Sequence, residues 1–280
     1  MQTGGIELRG FAPEHLDGAV ALSRAAGWPH RREDWTLVLS LSVGTVLLDR
    51  SRVVGTAMTT PLGREAATIN MVIVDEAMRG HGLGRRLMDA ALAAADGRAC
   101  RLIATEAGLP LYERLGFRAT GRIVQHQGPA VPGAAARAEG VAWSEAPPVA
   151  DLAALDREAC GMDRAALIGR LAAEGRIAVL RRDGAIRGFA ALRAFGRGEV
   201  IGPVVAGNPE EARALLAFVM AARRGAFLRV DTPEEAGLAP WLAAQGLVAV
   251  GGGIAMQRGG AHPQPAGNAR TFALASQALG

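Results

Sequence analysis

Ile69-Asn70-Met71-Val72-Ile73-Val74, then Arg79-Gly80-His81-Gly82-Leu83-Gly84, then Arg85-Arg86-Leu87-Met88-Asp89-Ala90-Ala91-Leu92-Ala93-Ala94-Ala95 form the stretch that decides the fold. The first run is apolar at nearly every position, rich in β-branched residues and too short for a helix, the pattern of a strand buried on both faces. In the last run Leu87, Met88, Ala91, Leu92 and Ala95 recur at helical spacing, with Arg85, Arg86 and Asp89 on the other face. Three glycines alternate where strand passes into helix. They permit a sharp bend that can lay backbone N–H groups against an anion at the positive end of the helix dipole, and a phosphate or pyrophosphate is the expected ligand.

Spacing decides which nucleotide. A Walker loop needs a lysine, and the chain has none. The dinucleotide fingerprint is Gly-x-Gly-x-x-Gly, whereas these glycines are spaced Gly-x-Gly-x-Gly, with no strand-end acid for a ribose. Arg79-Gly80-His81-Gly82-Leu83-Gly84 resembles the (Arg/Gln)-x-x-Gly-x-(Gly/Ala) hallmark of the GNAT superfamily of acetyl-CoA-dependent N-acetyltransferases. Pro110-Leu111-Tyr112-Glu113-Arg114-Leu115-Gly116-Phe117 is similar to that family's later motif, and Tyr112 is the chain's only tyrosine.

The resemblance implies an α/β (α+β) fold, a mixed and mostly antiparallel central sheet flanked by helices. It implies acetyl-CoA as cosubstrate and no metal. Arg79, Gly80, His81, Gly82, Leu83, Gly84 and Arg85 would surround the pyrophosphate, and Val72, Ile73 and Val74 would bond the pantetheine amides. Tyr112 would protonate the CoA sulfur. Glu106 is the candidate base, with Asp75 or a water chain as alternatives. The family's pantetheine-binding asparagine has only Thr105 or Gly108 in its place.

Length and composition bound the rest. At 280 residues, half of them apolar, the chain can build two domains with real cores. No apolar run is long enough to span a membrane, and the start lacks the features of a signal peptide. Cys100 and Cys160 lie in separate halves without metal-ligand spacing, so a cytoplasmic, reduced protein is expected. All 31 basic residues are arginine, the net charge is only +4, and the basic residues are interleaved with acids. Nucleic-acid binding needs a basic patch or stripe, so neither nucleic acid nor membrane is expected as a partner.

In the family the segment between the first two helices lines the acceptor site. Here it carries Trp28, His30 and Trp35, substrate candidates because aromatic walls hold amines by packing or cation–π contact. For Trp35 a place on a core helix face is the favoured reading, and Trp28, beside Pro29 in a loop, is the better substrate candidate. After a Pro/Gly/Ala linker at 128–140, the order of elements repeats, with Gly188 in the place of Gly55. At the loop the second half reads Val205-Ala206-Gly207-Asn208-Pro209-Glu210, and Leu242 stands in the place of Tyr112. The expectation is a GNAT domain over 1–127 and a GNAT-like domain over 141–280 without a CoA loop, an arrangement resembling a bacterial tandem subgroup. The expected activity is acetyl transfer to a primary amine of a small molecule or amino-acid-like acceptor, by a monomer or homodimer. A protein acceptor, or a non-catalytic acyl-CoA-binding module, are the alternatives.

Overall fold

The computed structural model describes residues 5–131, 139–261 and 263–280. The chain divides into two compact units. Unit 1 holds Met1–Leu102, Ala107–Arg118 and Met256–His262, and unit 2 holds Ile103–Glu106, Ala119–Ala255 and Pro263–Gly280.

Unit 1 begins with β1 (Ile6–Gly10), α1 (Leu16–Ala25) and α2 (Arg32–Leu41). Pro13 opens a 3-10 turn ahead of α1, where the Ala12 N–H donates to His15 Nδ1 at 2.9 Å. The Arg31 N–H donates to Asp34 Oδ2 at 2.9 Å, which fixes the first turn of α2. The hairpin of β2 (Val43–Asp49) and β3 (Arg52–Leu62) leads to β4 (Ala66–Val74), α3 (Leu83–Ala94), β5 (Ala99–Ala104) and α4 (Leu109–Arg114). β1, β2, β3 and β4 pair antiparallel in that order, and β5 joins β4 in parallel. Every β4 side chain is buried or half-buried, as its apolar run requires.

Helices cover both faces of this sheet. On one, Leu83, Leu87, Met88 and Ala91 of α3 are buried while Arg85, Arg86 and Asp89 stay exposed. Gly55 lets α3 approach, since a Cβ there would lie 3.0 Å from Leu87 Cδ1. Thr59 Oγ1 donates to the Ala91 carbonyl at 2.9 Å and pins the helix to β3. On the other face Gly18 of α1 packs on Val53, and Trp35 of α2 stacks on Phe11 with centroids 5.8 Å apart.

Unit 2 runs β6 (Arg118–Pro129), β7 (Val141–Ser144), α5 (Val149–Cys160), α6 (Ala165–Glu174), β8 (Arg176–Arg182), β9 (Ala185–Phe195), β10 (Gly198–Ala206), α7 (Pro209–Ala222), β11 (Phe227–Pro233), α8 (Ala239–Ala244), β12 (Val248–Arg258) and β13 (Arg270–Ala273). β7, β8, β9 and β10 pair antiparallel, and β11 joins β10 in parallel. The parallel with unit 1 extends to single residues. A Cβ on Gly188 would lie 3.1 Å from Leu215 Cδ1 of α7, the role Gly55 has beneath α3.

The expected boundaries need three corrections. Residues 119–127 do not close the first domain, because β6 pairs antiparallel with β11 from Phe227↔Pro129 to Pro233↔Ile123 in unit 2. Conversely, Met256–His262 belongs to unit 1, where a Cβ on Gly259 would lie 3.3 Å from Ala99 Cα. Nor are residues 128–131 linker. Gly128 and Pro129 finish β6, the Ala130 N–H donates to Ala226 O at 3.0 Å, and the Val131 N–H donates to Gln245 O at 3.0 Å. Residues 132–138 of the expected linker lie outside the described residues. No helix among the described residues is long and apolar enough to cross a membrane.

Candidate active site

The site in unit 1 starts from a fork. β4 and β5 pair only through Ala66↔Ala99, Ala67↔Cys100 and Thr68↔Arg101, while β4 continues to Val74. A bulge follows the last pair, since the β3–β4 register shifts between Thr56/Met58 and Met71 has φ +50°. Thr56 Oγ1 donates to the Met71 carbonyl at 2.7 Å and holds this uncommon backbone in place. Beyond the fork Val72 and Val74 are half-buried and Ile73 is buried. The β5-facing backbone edge of Val72–Val74 has no strand partner among the described residues.

At the end of β4, Asp75 accepts from the Ala77 N–H at 2.9 Å and pairs with Arg52 at 2.5 Å. The glycine turn then reverses the chain into α3. Gly80 and Gly82 have φ of +80° and +73°, and a Cβ at either would meet nothing within 4 Å, so both face open space. Their requirement is therefore conformational. Gly82 is the N-cap of α3 with no side-chain cap, and the first turn carries no acid. Uncapped N–H groups at the positive end of a twelve-residue helix, with no carboxylate competing, suit a phosphate. Gly84 has a different reason, because a Cβ there would lie 3.2 Å from Leu111 Cδ2 and 3.9 Å from Val74 Cγ2. Glycine thus brings β4, α3 and α4 together.

The remaining loop candidates are exposed or serve the loop. His81 Nδ1 lies 2.9 Å from the Arg79 carbonyl, Arg79 pairs with Glu76 at 3.4 Å, and Arg85 pairs with Asp89 at 2.9 Å. Leu83 is buried in the α3 face.

Tyr112 sits in α4, one residue beyond Leu111. It is buried, with its ring edge-on to Phe117 at 6.0 Å. Burial pushes its phenol up to about 12, so it stays protonated at neutral pH. Gly116, at φ +82°, ends this short helix and directs Phe117 into the core.

The acceptor candidates separate. Trp35 is corrected to a core residue, being fully buried with its indole N–H donating to Ser23 Oγ at 3.2 Å. Trp28 and His30 are half-buried in the loop between α1 and α2, with ring centroids 5.7 Å apart. Glu106 is exposed and belongs with Ile103–Thr105 to unit 2.

Sequence reasoning passed over Asn70. Its Nδ2 donates to Thr60 Oγ1 at 2.9 Å, Thr60 Oγ1 lies 2.6 Å from Ser42 Oγ, and Asn70 Oδ1 is buried without a partner. An amide inside the apolar run from Ile69 to Val74 was the available signal. It lies two positions past the last β4–β5 pair, on the face shared with Met58.

Residues 42–119 and residues 152–272 each match the acetyltransferase (GNAT) domain family. Over 240 residues the chain is 29% identical to the uncharacterized N-acetyltransferase YitH of Bacillus subtilis (strain 168), covering 82% of this chain and 83% of that one. A putative acetyltransferase from Pyrococcus horikoshii superposes with a TM-score of 0.83 at 20% identity, covering 100% of this chain and 98% of the other. A tandem GNAT protein from the clavulanic acid biosynthesis pathway gives a TM-score of 0.62 at 16% identity, covering 92% and 100% of the two chains. At such identities the two structures show a common fold. With both halves matched to one domain family in sequence and a tandem relative in structure, the chain belongs to the GNAT acetyltransferases and carries two such domains in tandem.

Proposed function

We propose that this chain transfers the acetyl group of acetyl-CoA directly to a primary amine of a small molecule, at one site in unit 1, in the cytoplasm. The observation that carries this is the glycine turn. Gly80 and Gly82, at positive φ beside open space, precede an uncapped, acid-free helix N-terminus that follows a strand whose edge has no strand partner among the described residues. That combination offers N–H groups for a pyrophosphate and a backbone edge for an amide-bearing arm.

Bound acetyl-CoA supplies an activated thioester. The chain's residues orient it and manage charge. The turn from Gly80 to Gly84 holds the pyrophosphate, and the Val72–Val74 backbone aligns the pantetheine amides. As the neutral amine nitrogen bonds to the acetyl carbon and the carbon–sulfur bond breaks, Tyr112 gives its proton to the departing sulfur, and the proton that the nitrogen sheds on becoming an amide passes through water to restore the Tyr112 hydroxyl. Its raised pKa keeps that proton in place beforehand. Trp28 and His30 form one wall for the acceptor. Holding both reactants in line carries most of the rate.

Calorimetric titration of acetyl-CoA into the full chain, followed by thiol release with a panel of primary amines, tests this proposal. One site per chain is expected, and Gly82→Val, with a β-branched residue at φ +73°, abolishes binding. Absence of binding to the native chain would remove acetyl-CoA as donor. Binding without thiol release from any amine would remove the small-molecule acceptor.

A further inference from the structure

Unit 2 repeats the fork of unit 1, but its own chain fills it. β10 and β11 pair only through Glu199↔Leu228 and Val200↔Arg229, the counterpart of the short β4–β5 ladder. A register shift follows between Ile201 and Val204, where unit 1 has its bulge. Beyond it Val204, Val205 and Ala206 occupy the place of Val72–Val74. That edge is paired. Val204 stands opposite Ala273, Val205 opposite Thr271 and Ala206 opposite Arg270 in an antiparallel ladder with β13. The Leu274 N–H also donates to the Asp231 carbonyl of β11 at 2.8 Å, so the segment bonds to both arms of the fork. The fit is tight, since a Cβ on Gly202 would lie 1.8 Å from the Leu274 carbonyl oxygen.

The anion position is taken as well. Glu211 Oε2 accepts from the Gly207 N–H at 2.9 Å, and Asn208 Oδ1 accepts from the Glu211 N–H at 2.9 Å, so carboxylate and amide cap α7 where α3 is uncapped. Upstream of β13 the segment is anchored to α5. Glu158 Oε1 accepts from the N–H groups of Asn268 at 2.9 Å and Ala269 at 3.0 Å.

We propose that the fork of unit 2 is a strand-binding groove for an extended peptide, that its resident occupant is the 270–275 segment of this same chain, and that acyl-donor binding is thereby confined to unit 1. The confinement rests on the donor site proposed above; the strand groove stands on the unit 2 ladder alone. Backbone hydrogen bonds supply the attachment, as in strand addition to a sheet edge. Gly202 supplies the close approach.

Two variants of the full chain and one truncation test it. Gly202→Ala drives a methyl group into the Leu274 carbonyl and expels the strand. Hydrogen-exchange protection at Val204–Ala206 should fall at least tenfold, while acetyl-CoA stoichiometry and affinity stay at the native values. Glu158→Gln, which weakens the anchor, should give a smaller loss at the same amides. In a chain ending at residue 262, the synthetic peptide 263–280 added in trans should bind and restore that protection. Unchanged protection in Gly202→Ala would overturn the groove even if the truncated chain fails to fold. So would a folded truncated chain that ignores the peptide. Two acetyl-CoA sites in the native chain would overturn the confinement. No acetyl-CoA binding at all would sink the donor site of unit 1 and leave the exchange result standing.

Discussion

Tyr112→Phe separates proton donation from every other duty of α4. The ring remains, with its edge-on contact to Phe117 at 6.0 Å, so packing is kept and only the hydroxyl is removed. Acetyl-CoA affinity by calorimetry should be unchanged and turnover should drop about 10²–10⁴-fold, the range for a positioned acid. The pH dependence is specific. An alkyl ammonium acceptor loses its proton near pH ~10.4, so kcat/KM for the amine climbs about tenfold per pH unit toward that value. A phenol at its ordinary pKa of 10.0 would shut the rate down over the same range, whereas Tyr112, held up to about 12 by burial, keeps its proton. The native profile should therefore rise through pH 10 and hold to pH 11. Stability gives an independent check. The folded pKa is raised above the unfolded value, so the group's contribution is fully present below pH 10 and lost as pH rises toward 12. About 1.4 kcal/mol disappears by pH 11, and about 2.7 kcal/mol once both forms are ionised. The phenyl ring of the variant has nothing to ionise. The stability of native protein relative to Tyr112→Phe should fall by that amount between pH 8 and pH 11, read by urea unfolding at each pH. A native rate that falls near pH 10, or a variant with undiminished turnover, refutes the acid role; parallel stability curves refute the desolvation behind it.

Other expectations concern the aromatic loop and the core of unit 2. Trp35→Ala removes a fully buried side chain and should cost about 3–5 kcal/mol in chemical denaturation, while Trp28→Ala, half-buried in the loop, should cost little and raise the amine KM. Arg164 and Asp156 pair at 2.6 Å with both side chains buried, so Arg164→Met should destabilise by about 3–5 kcal/mol by stranding a carboxylate. Adding Asp156→Leu should recover most of that loss, and a double variant no more stable than the single one would show that the unpaired charge was not the cause.

What was legible in the sequence was what short-range chemistry determines. β4 announced itself through a nearly continuous apolar run, α3 through its periodic leucines, and the turn between them through Gly80 and Gly82, which the backbone needs at positive φ. Gly55 and Gly188 could be matched because each must clear a helix leucine. Trp35 could not be placed by type alone. An indole suits a substrate wall or a core equally, and its fully buried position depends on Phe11 and Ser23, remote in sequence. Asn70 was missed for a related reason, since its unpaired oxygen is a property of the fold around it.

Strand partnership was the least legible feature, and it bears most on how the halves differ. β6 follows the tyrosine motif directly, yet one of its partners is β11, and Met256–His262 returns to unit 1. Alternating side chains state that a segment is a strand without naming its neighbour, because the ladder is made of backbone groups common to every residue. The same indifference explains the contrasting forks. The edge of Val72–Val74 and that of Val204–Ala206 are chemically alike, so what each accepts depends on what else is supplied. In unit 1 an uncapped helix and a buried phenol accompany an open edge; in unit 2 Glu211 caps the helix, Leu242 replaces the phenol, and β13 takes the edge. The repeated backbone frame therefore differs between the two units in a handful of side chains and one added strand.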